Sequence, residues 1–168
     1  MKYALIGCGR IAVNHIKAVV NNGLELVAVC DLVPEHIDIL FEKTNYSGTP
    51  ARYTDYRQML SEHPELELAA IATDSGVHAE IALACLDAGL HVIVEKPMSM
   101  SMEDADRIIN RARETGRKVA VCHQNRFNLA VQCMRTALDQ GRFGRDRRPH
   151  GRDRVYGHLY RRVRVSAL

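Results

Sequence analysis

No stretch of this chain approaches the roughly eighteen consecutive apolar residues of a membrane-spanning helix, so no bilayer span is expected. The opening residues, MKYALIGCGR, lack the longer apolar segment and small-residue cleavage site of a secretory leader. A cytoplasmic protein is the expectation. The five cysteines, Cys8, Cys30, Cys85, Cys122 and Cys133, form no CxxC pair. They read as small, reduced core residues rather than a disulfide framework. The eight histidines have no metal-type spacing to cysteine or carboxylate, so no dedicated metal site is expected. No internal repeat and no low-complexity linker precede residue 145.

What is present fits one folded domain. The 168 residues are 46% hydrophobic, enough for a real core. The net charge of +3 is unevenly placed. Residues 145–168 hold eight arginines against two aspartates, a surplus of six positive charges. The remaining 144 residues hold fifteen basic side chains against eighteen acidic ones, a deficit of three. A mildly acidic body is a poor electrostatic footprint for nucleic acid, so no specific nucleic-acid partner is expected.

Along residues 1–144, apolar strand-like runs alternate with helical patterns. Strands are expected at YALIG (3–7), LELVAVCD (24–31), TPARYT (49–54), LELAAIATD (66–74), HVIVEKP (91–97) and KVAVCHQNRF (118–127). Helices are expected between them. The first should bury Ile11, His15 and Ala18 with Ile16 and Val20 beside them. The second, opened by Pro34, should bury Ile37, Leu40 and Phe41. A short helix begins at Thr54 or Asp55. A fourth, from residue 75, has Ile81, Cys85 and Ala88 in line and ends at Gly89. A fifth carries a capping-box signature, Ser101 with Asp104, and ends at Gly116. A last helix covers 129–138. Alternation of this kind implies right-handed crossovers and a parallel sheet covered on both faces, an α/β fold.

The first strand-to-helix turn reads GCGRIA. Gly7, Gly9 and Ala12 fit the G-x-G-x-x-A dinucleotide fingerprint. Gly7 permits the tight turn and Gly9 lets the backbone approach a pyrophosphate. Ala12 lets the helix pack on the strand, and the helix N-terminus, with Arg10 and Ile11, faces the phosphates. Asp31 ends the second strand, nineteen residues after Ala12. A carboxylate there accepts hydrogen bonds from the adenosine ribose and repels a 2′-phosphate, which selects NAD over NADP. Leu32 and Val33 offer nothing to a phosphate. The alternative is a bare structural turn, with Asp31 only a helix cap.

In open sheets ligands sit beyond the carboxyl ends of the strands. Three more polar segments fall there: Thr73, Asp74, Ser75 and His78 after the fourth strand, Glu95 and Lys96 after the fifth, and Asn125 after the sixth. Lys96 can orient a substrate hydroxyl and stabilise the charge developing on it; otherwise it is a surface lysine. His78 is a candidate ring ligand to cofactor or substrate; otherwise it is a cap or a half-buried ring.

Taken together, IGCGRIAVNH, AVCD, ATDSGVHAEIALACLDAGLHVIVEKPM and HQNRFN resemble the N-terminal cofactor domain of the Gfo/Idh/MocA oxidoreductases. The resemblance covers 1–144 and implies a Rossmann-type doubly wound parallel sheet. It places Lys96 on the family's catalytic lysine. It implies NAD bound by Gly7, Gly9, Arg10, Ile11, Asp31, Thr73, Asp74, Ser75, His78, Glu95, Lys96 and Asn125, and a sugar or nucleotide-sugar substrate. AVCDLVPEH and HQNRFNLAVQ look most like the branch that oxidises the 3-hydroxyl of nucleotide-linked N-acetylhexosaminuronic acids in lipopolysaccharide biosynthesis. Leu129 and Asp74 depart from that pattern.

Family members are about twice as long, with a second, mostly antiparallel domain that carries the acid/base histidine. A chain of this length is expected to lack that domain, and Asp153 and His158 are not expected to stand in for its Asp-x-x-x-His pair. The expectation is a nucleotide-binding half, inactive alone and open to self-association through the face its second domain covers. The alternative is a non-catalytic dinucleotide-binding module or subunit. The arginine-rich stretch 145–168 has three readings: an out-of-frame or degenerate remnant, a divergent native strand, or a basic arm.

Overall fold

Six short strands, each an apolar run, pair in parallel in the order β3-β2-β1-β4-β5-β6. They are β1 (Lys2–Ile6), β2 (Glu25–Cys30), β3 (Ala51–Tyr53), β4 (Leu68–Ile71), β5 (His91–Glu95) and β6 (Val119–Cys122). The helices are α1 (Ala12–Asn21), α2 (Pro34–Thr44), α3 (Tyr56–Glu62), α4 (His78–Asp87), α5 (Met102–Thr115) and α6 (Leu129–Asp139). This computed structural model describes residues 1–142. Asp153, His158 and the rest of the arginine-rich stretch lie outside them. The chain divides into two units, Met1–Cys122 and His123–Leu168. That division falls inside the stretch 1–144 assigned above to one domain.

The expected doubly wound sheet is present in the first unit. Side chains alternate along each strand, and both faces are buried. Tyr3, Leu5, Val29 and Ala70 pack on one face with Ile16 and Val19 of α1 and Ile37, Leu40 and Phe41 of α2. Ala4, Ile6, Ala28, Ile71, Val92 and Val94 pack on the other, with Met59 of α3, Ile81, Cys85 and Leu86 of α4 and Ile108 of α5. The order reverses between β1 and β4. There the two crossovers leave on opposite faces and open a crevice at the carboxyl ends.

The structure shortens and corrects several expected elements. In α1 the buried stripe is Ala12, His15, Ile16 and Val19. Ala18 and Val20 face outward. The i, i+3, i+4, i+7 spacing puts Val19, not Ala18, over the sheet. In α4, Ala88 is exposed and Leu86 takes the buried place. Residues 75–77 form a single 3₁₀ turn before α4. The sixth strand ends at Cys122, and Gln124–Phe127 is a 3₁₀ turn in the second unit. Of the cysteines, Cys8, Cys30 and Cys85 are buried, Cys122 is half-buried and Cys133 on α6 is exposed.

Caps explain where helices start. Asp55, not Thr54, begins α3 by accepting the Arg57 amide at 2.8 Å. Ser101 caps α5 by accepting the Asp104 amide at 3.1 Å. The return half of the expected capping box differs. The Asp104 carboxylate accepts the Ser101 hydroxyl at 2.9 Å, because its side chain is one methylene shorter than the usual glutamate. Removing this cap in Ser101→Ala should cost about 1 kcal/mol of unfolding free energy. Urea denaturation checks this, and a loss within error of zero would mean that the cap bonds add nothing net.

Candidate functional site at the carboxyl ends of the strands

The turn after β1 is shaped by close approach. Gly7 has φ +92°, and a Cβ there would sit 2.5 Å from the Ala72 carbonyl carbon. Any side chain at position 7 therefore collides with the backbone leaving β4. The Gly7 amide donates to the Cys30 carbonyl at 2.8 Å, so the turn is also pinned to β2. Gly9 differs: among the described residues nothing lies within 4 Å of its Cβ position. The space beside it is open, as an approaching phosphate would need. Helix α1 follows, with Arg10 exposed and Ile11 half-buried at its start.

Asp31 closes the far side of this turn. Its Oδ2 accepts the Cys8 amide at 2.7 Å. Its Oδ1 accepts the Val33 amide at 2.9 Å and lies 3.0 Å from His36 Nδ1. The two sequence readings of Asp31 are thus compatible. It organises the start of α2, and the same carboxylate stands at the end of β2 beside the glycine turn. Neither the bond to Cys8 nor the His36 contact was read from sequence. The spacing of Asp31 and His36 on one helical entry was the available signal.

On the other side of the crevice, His78 is 1% exposed. Its Nδ1 lies 2.8 Å from the Pro97 carbonyl and its Nε2 3.0 Å from the Thr73 carbonyl. The ring is therefore a buried tie between the segments leaving β4 and β5, and not the half-buried ring considered above. Both bonds form at once only when both nitrogens carry hydrogen; a neutral ring makes one of them. The Lys96–Pro97 peptide is cis. Lys96 is exposed, and among the described residues no hydrogen bond or ion pair engages its ammonium. Thr73 and Ser75 are half-buried and Asp74 is exposed at the same strand end.

Glu95 is buried at the end of β5, immediately before Lys96. Its Oε1 lies 3.2 Å from His15 Nε2, and His15 Nδ1 lies 3.2 Å from the Tyr3 hydroxyl. Burial lowers the His15 pKa, against the opposing pull of Glu95. The ring is thus kept neutral, with Nε2–H donating to Glu95 and Nδ1 accepting from Tyr3. Burial also pushes the Tyr3 hydroxyl well above its usual range. The chain of bonds ties α1 to the strand that carries Lys96. Asn125 falls in the second unit, within Gln124–Phe127.

Comparison with known proteins agrees with this architecture. A model of the family described as "Oxidoreductase family, NAD-binding Rossmann fold" (Gfo/Idh/MocA) matches residues 1–123. The chain belongs to the Gfo/Idh/MocA family. Among curated relatives, D-glucoside 3-dehydrogenase of Escherichia coli (strain K12) is 32% identical over 146 residues, covering 86% of this chain and 40% of the relative. Inositol 2-dehydrogenase of Salmonella typhimurium is 28% identical over 155 residues, covering 90% of this chain and 45% of the relative. The crystal structure of the WlbA dehydrogenase from Bordetella pertussis, in complex with NADH and UDP-GlcNAcA, superposes with a TM-score of 0.76. It is 36% identical, over 86% of this chain and 43% of that one. The chain thus spans less than half the length of these Gfo/Idh/MocA relatives.

The two glycines of the Gfo/Idh/MocA turn should fail differently. Gly7→Ala drives a Cβ into the Ala72 backbone and forces a left-handed φ on a side chain. The fold itself should be destabilised, by several kcal/mol on the scale of a buried clash. Gly9→Ala meets no atom of the described residues. The melting temperature should stay within about 2 °C of the parent, since a surface change is worth about 0.5 kcal/mol. NAD affinity, however, should fall. Thermal melts and calorimetry on both variants check this; a Gly9→Ala chain that binds NAD as the parent does would remove the turn from the cofactor site.

Proposed function

We propose that this chain is the NAD-binding half of a dehydrogenase that oxidises the 3-hydroxyl of a nucleotide-linked N-acetylhexosaminuronic acid, a step of lipopolysaccharide biosynthesis in the cytoplasm. The observation that carries the reading is the shared rim. The open space at Gly9, the Asp31 carboxylate and the Lys96 ammonium, unengaged among the described residues, all belong to the carboxyl ends of one parallel sheet. Likeness to WlbA and to D-glucoside 3-dehydrogenase supports the sugar and the position oxidised.

The residues present fit the cofactor. Backbone amides at the start of α1 and the gap beside Gly9 would take the pyrophosphate. Asp31 would accept from an adenosine ribose hydroxyl at Oδ2, which keeps one lone pair free beside the Cys8 amide. Arg10, Ile11, Thr73, Asp74, Ser75, Glu95 and Lys96 complete the proposed contact set of the first unit. His78 serves from behind, by holding the Thr73 and Pro97 carbonyls. When bound, NAD supplies the acceptor for the hydride leaving the sugar carbon. The Lys96 ammonium would donate to the reacting hydroxyl oxygen and stabilise the negative charge developing there. The acid/base histidine and the walls that position a sugar belong, in this proposal, to the family's second domain, which these residues do not supply.

The other reading is a non-catalytic dinucleotide-binding module. It rests on the family match covering residues 1–123, the dinucleotide-binding fold alone. On either reading, exposed Phe127, Leu129 and Met134 offer an apolar surface for self-association. A sugar-dependent rise in NADH absorbance separates the readings once a second-domain segment is supplied in trans.

Two outcomes are expected. Asp31→Ala should weaken NAD and narrow its advantage over NADP, by about 1–3 kcal/mol for a lost charge-assisted bond. Calorimetry with both cofactors checks this, and tighter NADP binding by the parent chain would overturn the assignment. The purified 168-residue chain should show no appreciable sugar-dependent NAD reduction, because positioning alone contributes about 7–11 kcal/mol to such barriers. Robust turnover with nothing added would show that the substrate site is complete without a second domain.

A further inference from the structure

His15, Glu95 and Cys122 come from α1, β5 and β6, far apart in sequence, yet their donor atoms all lie within 4.8 Å of one another. His15 and Glu95 are buried and Cys122 is half-buried. We propose that these three side chains form a binding site for a borderline-soft divalent cation of the zinc type, closed by protons when no metal is bound.

The donor set argues for the ion class. Imidazole, carboxylate and sulfur together suit zinc or cobalt and not magnesium or calcium, which take oxygen. A tetrahedral ion with bonds of about 2.0–2.3 Å holds its donors about 3.3–3.7 Å apart. His15 Nε2 and Glu95 Oε1 are already 3.2 Å apart. Three protein donors leave a fourth position for water. The neighbour behind the histidine is also in place. The Tyr3 hydroxyl lies 3.2 Å from His15 Nδ1 and can accept its hydrogen, as the outer partners of metal-bound histidines do.

Charge favours the ion as well. The two positive charges of the cation offset the thiolate and the carboxylate that hold it, which burial would otherwise penalise. Without metal, Cys122 is a thiol: burial and the Glu95 carboxylate beside it push its pKa up to about 12. Binding exchanges hydrogens in a fixed count. The Cys122 proton leaves to solvent as sulfur bonds the metal. The His15 proton moves from Nε2 to Nδ1, where the Tyr3 oxygen accepts it. One proton is released per ion, and no electron changes hands. Glu95 belongs both to the proposed cofactor contacts and to this site, so the test below reads metal binding itself and not turnover.

Cobalt(II) makes the test independent of activity. Titrated into the 168-residue chain, it should bind one equivalent with a sulfur-to-cobalt charge-transfer band in the near ultraviolet. Zinc should displace it, release one proton per ion and shield Cys122 from iodoacetamide, as peptide mapping of the unmutated chain reads. Cys122→Ser should lose the band, while Cys133→Ser, on an exposed thiol, should keep it. Tyr3→Phe should weaken binding roughly 10–100-fold. A missing charge-transfer band, a band that survives in Cys122→Ser, or an unchanged Cys122 alkylation rate under zinc would each overturn the site. The alkylation measurement decides even where a variant fails to fold.

Discussion

Where β1 and β4 part, the Gly7 backbone runs against the Ala72 carbonyl with no room for a side chain. Most of the site depends on this contact. It fixes the direction in which the chain leaves β1, and hence the aim of the α1 N-terminus across the crevice. The Asp31 bond to the Cys8 amide and the Gly7 bond to Cys30 hold the same turn from the β2 side. A turn braced on both sides is pre-organised, so little ordering remains for a ligand to impose.

Polar burial in this unit is concentrated, not scattered. Among the described residues the buried polar side chains are His15, His78 and Glu95. Each makes a tie at or next to a strand end: His78 between the β4 and β5 exits, His15 between α1 and Glu95. No buried side-chain polar atom among the described residues lacks a partner. Elsewhere the sheet is covered by aliphatic packing on both faces. Such packing sets the stability but is indifferent to chemistry. The ties put specificity where strand ends meet, because a hydrogen bond fixes distance and direction and a methyl contact does not.

Much of the fold was legible because its signals are local. Strand runs, helix stops at Gly23, Gly89 and Gly116, the Asp55 and Ser101 caps and the glycine turn all act within a few residues. The misses have local causes too. Ala18 for Val19 was an error of helical phase. Extending β6 through HQNRF overran a strand whose apolar pattern stops at Cys122. Lys96, Asp31 and the two glycines could be placed on one rim from order alone, since parallel strands present all their carboxyl ends on the same side.

By itself, the sequence determined the alternation of elements, the parallel sheet, the dinucleotide turn and the acid at the end of β2. Each follows from periodicity or from a motif in which neighbouring residues act together. Only the tertiary structure decided that His78 sits between two carbonyls, that Asp31 braces Cys8, and that His15 meets Glu95 and Cys122. His15 and Glu95 are 80 residues apart. Such a meeting leaves no trace in spacing, because it is set by which helix crosses which strand and how closely they pack.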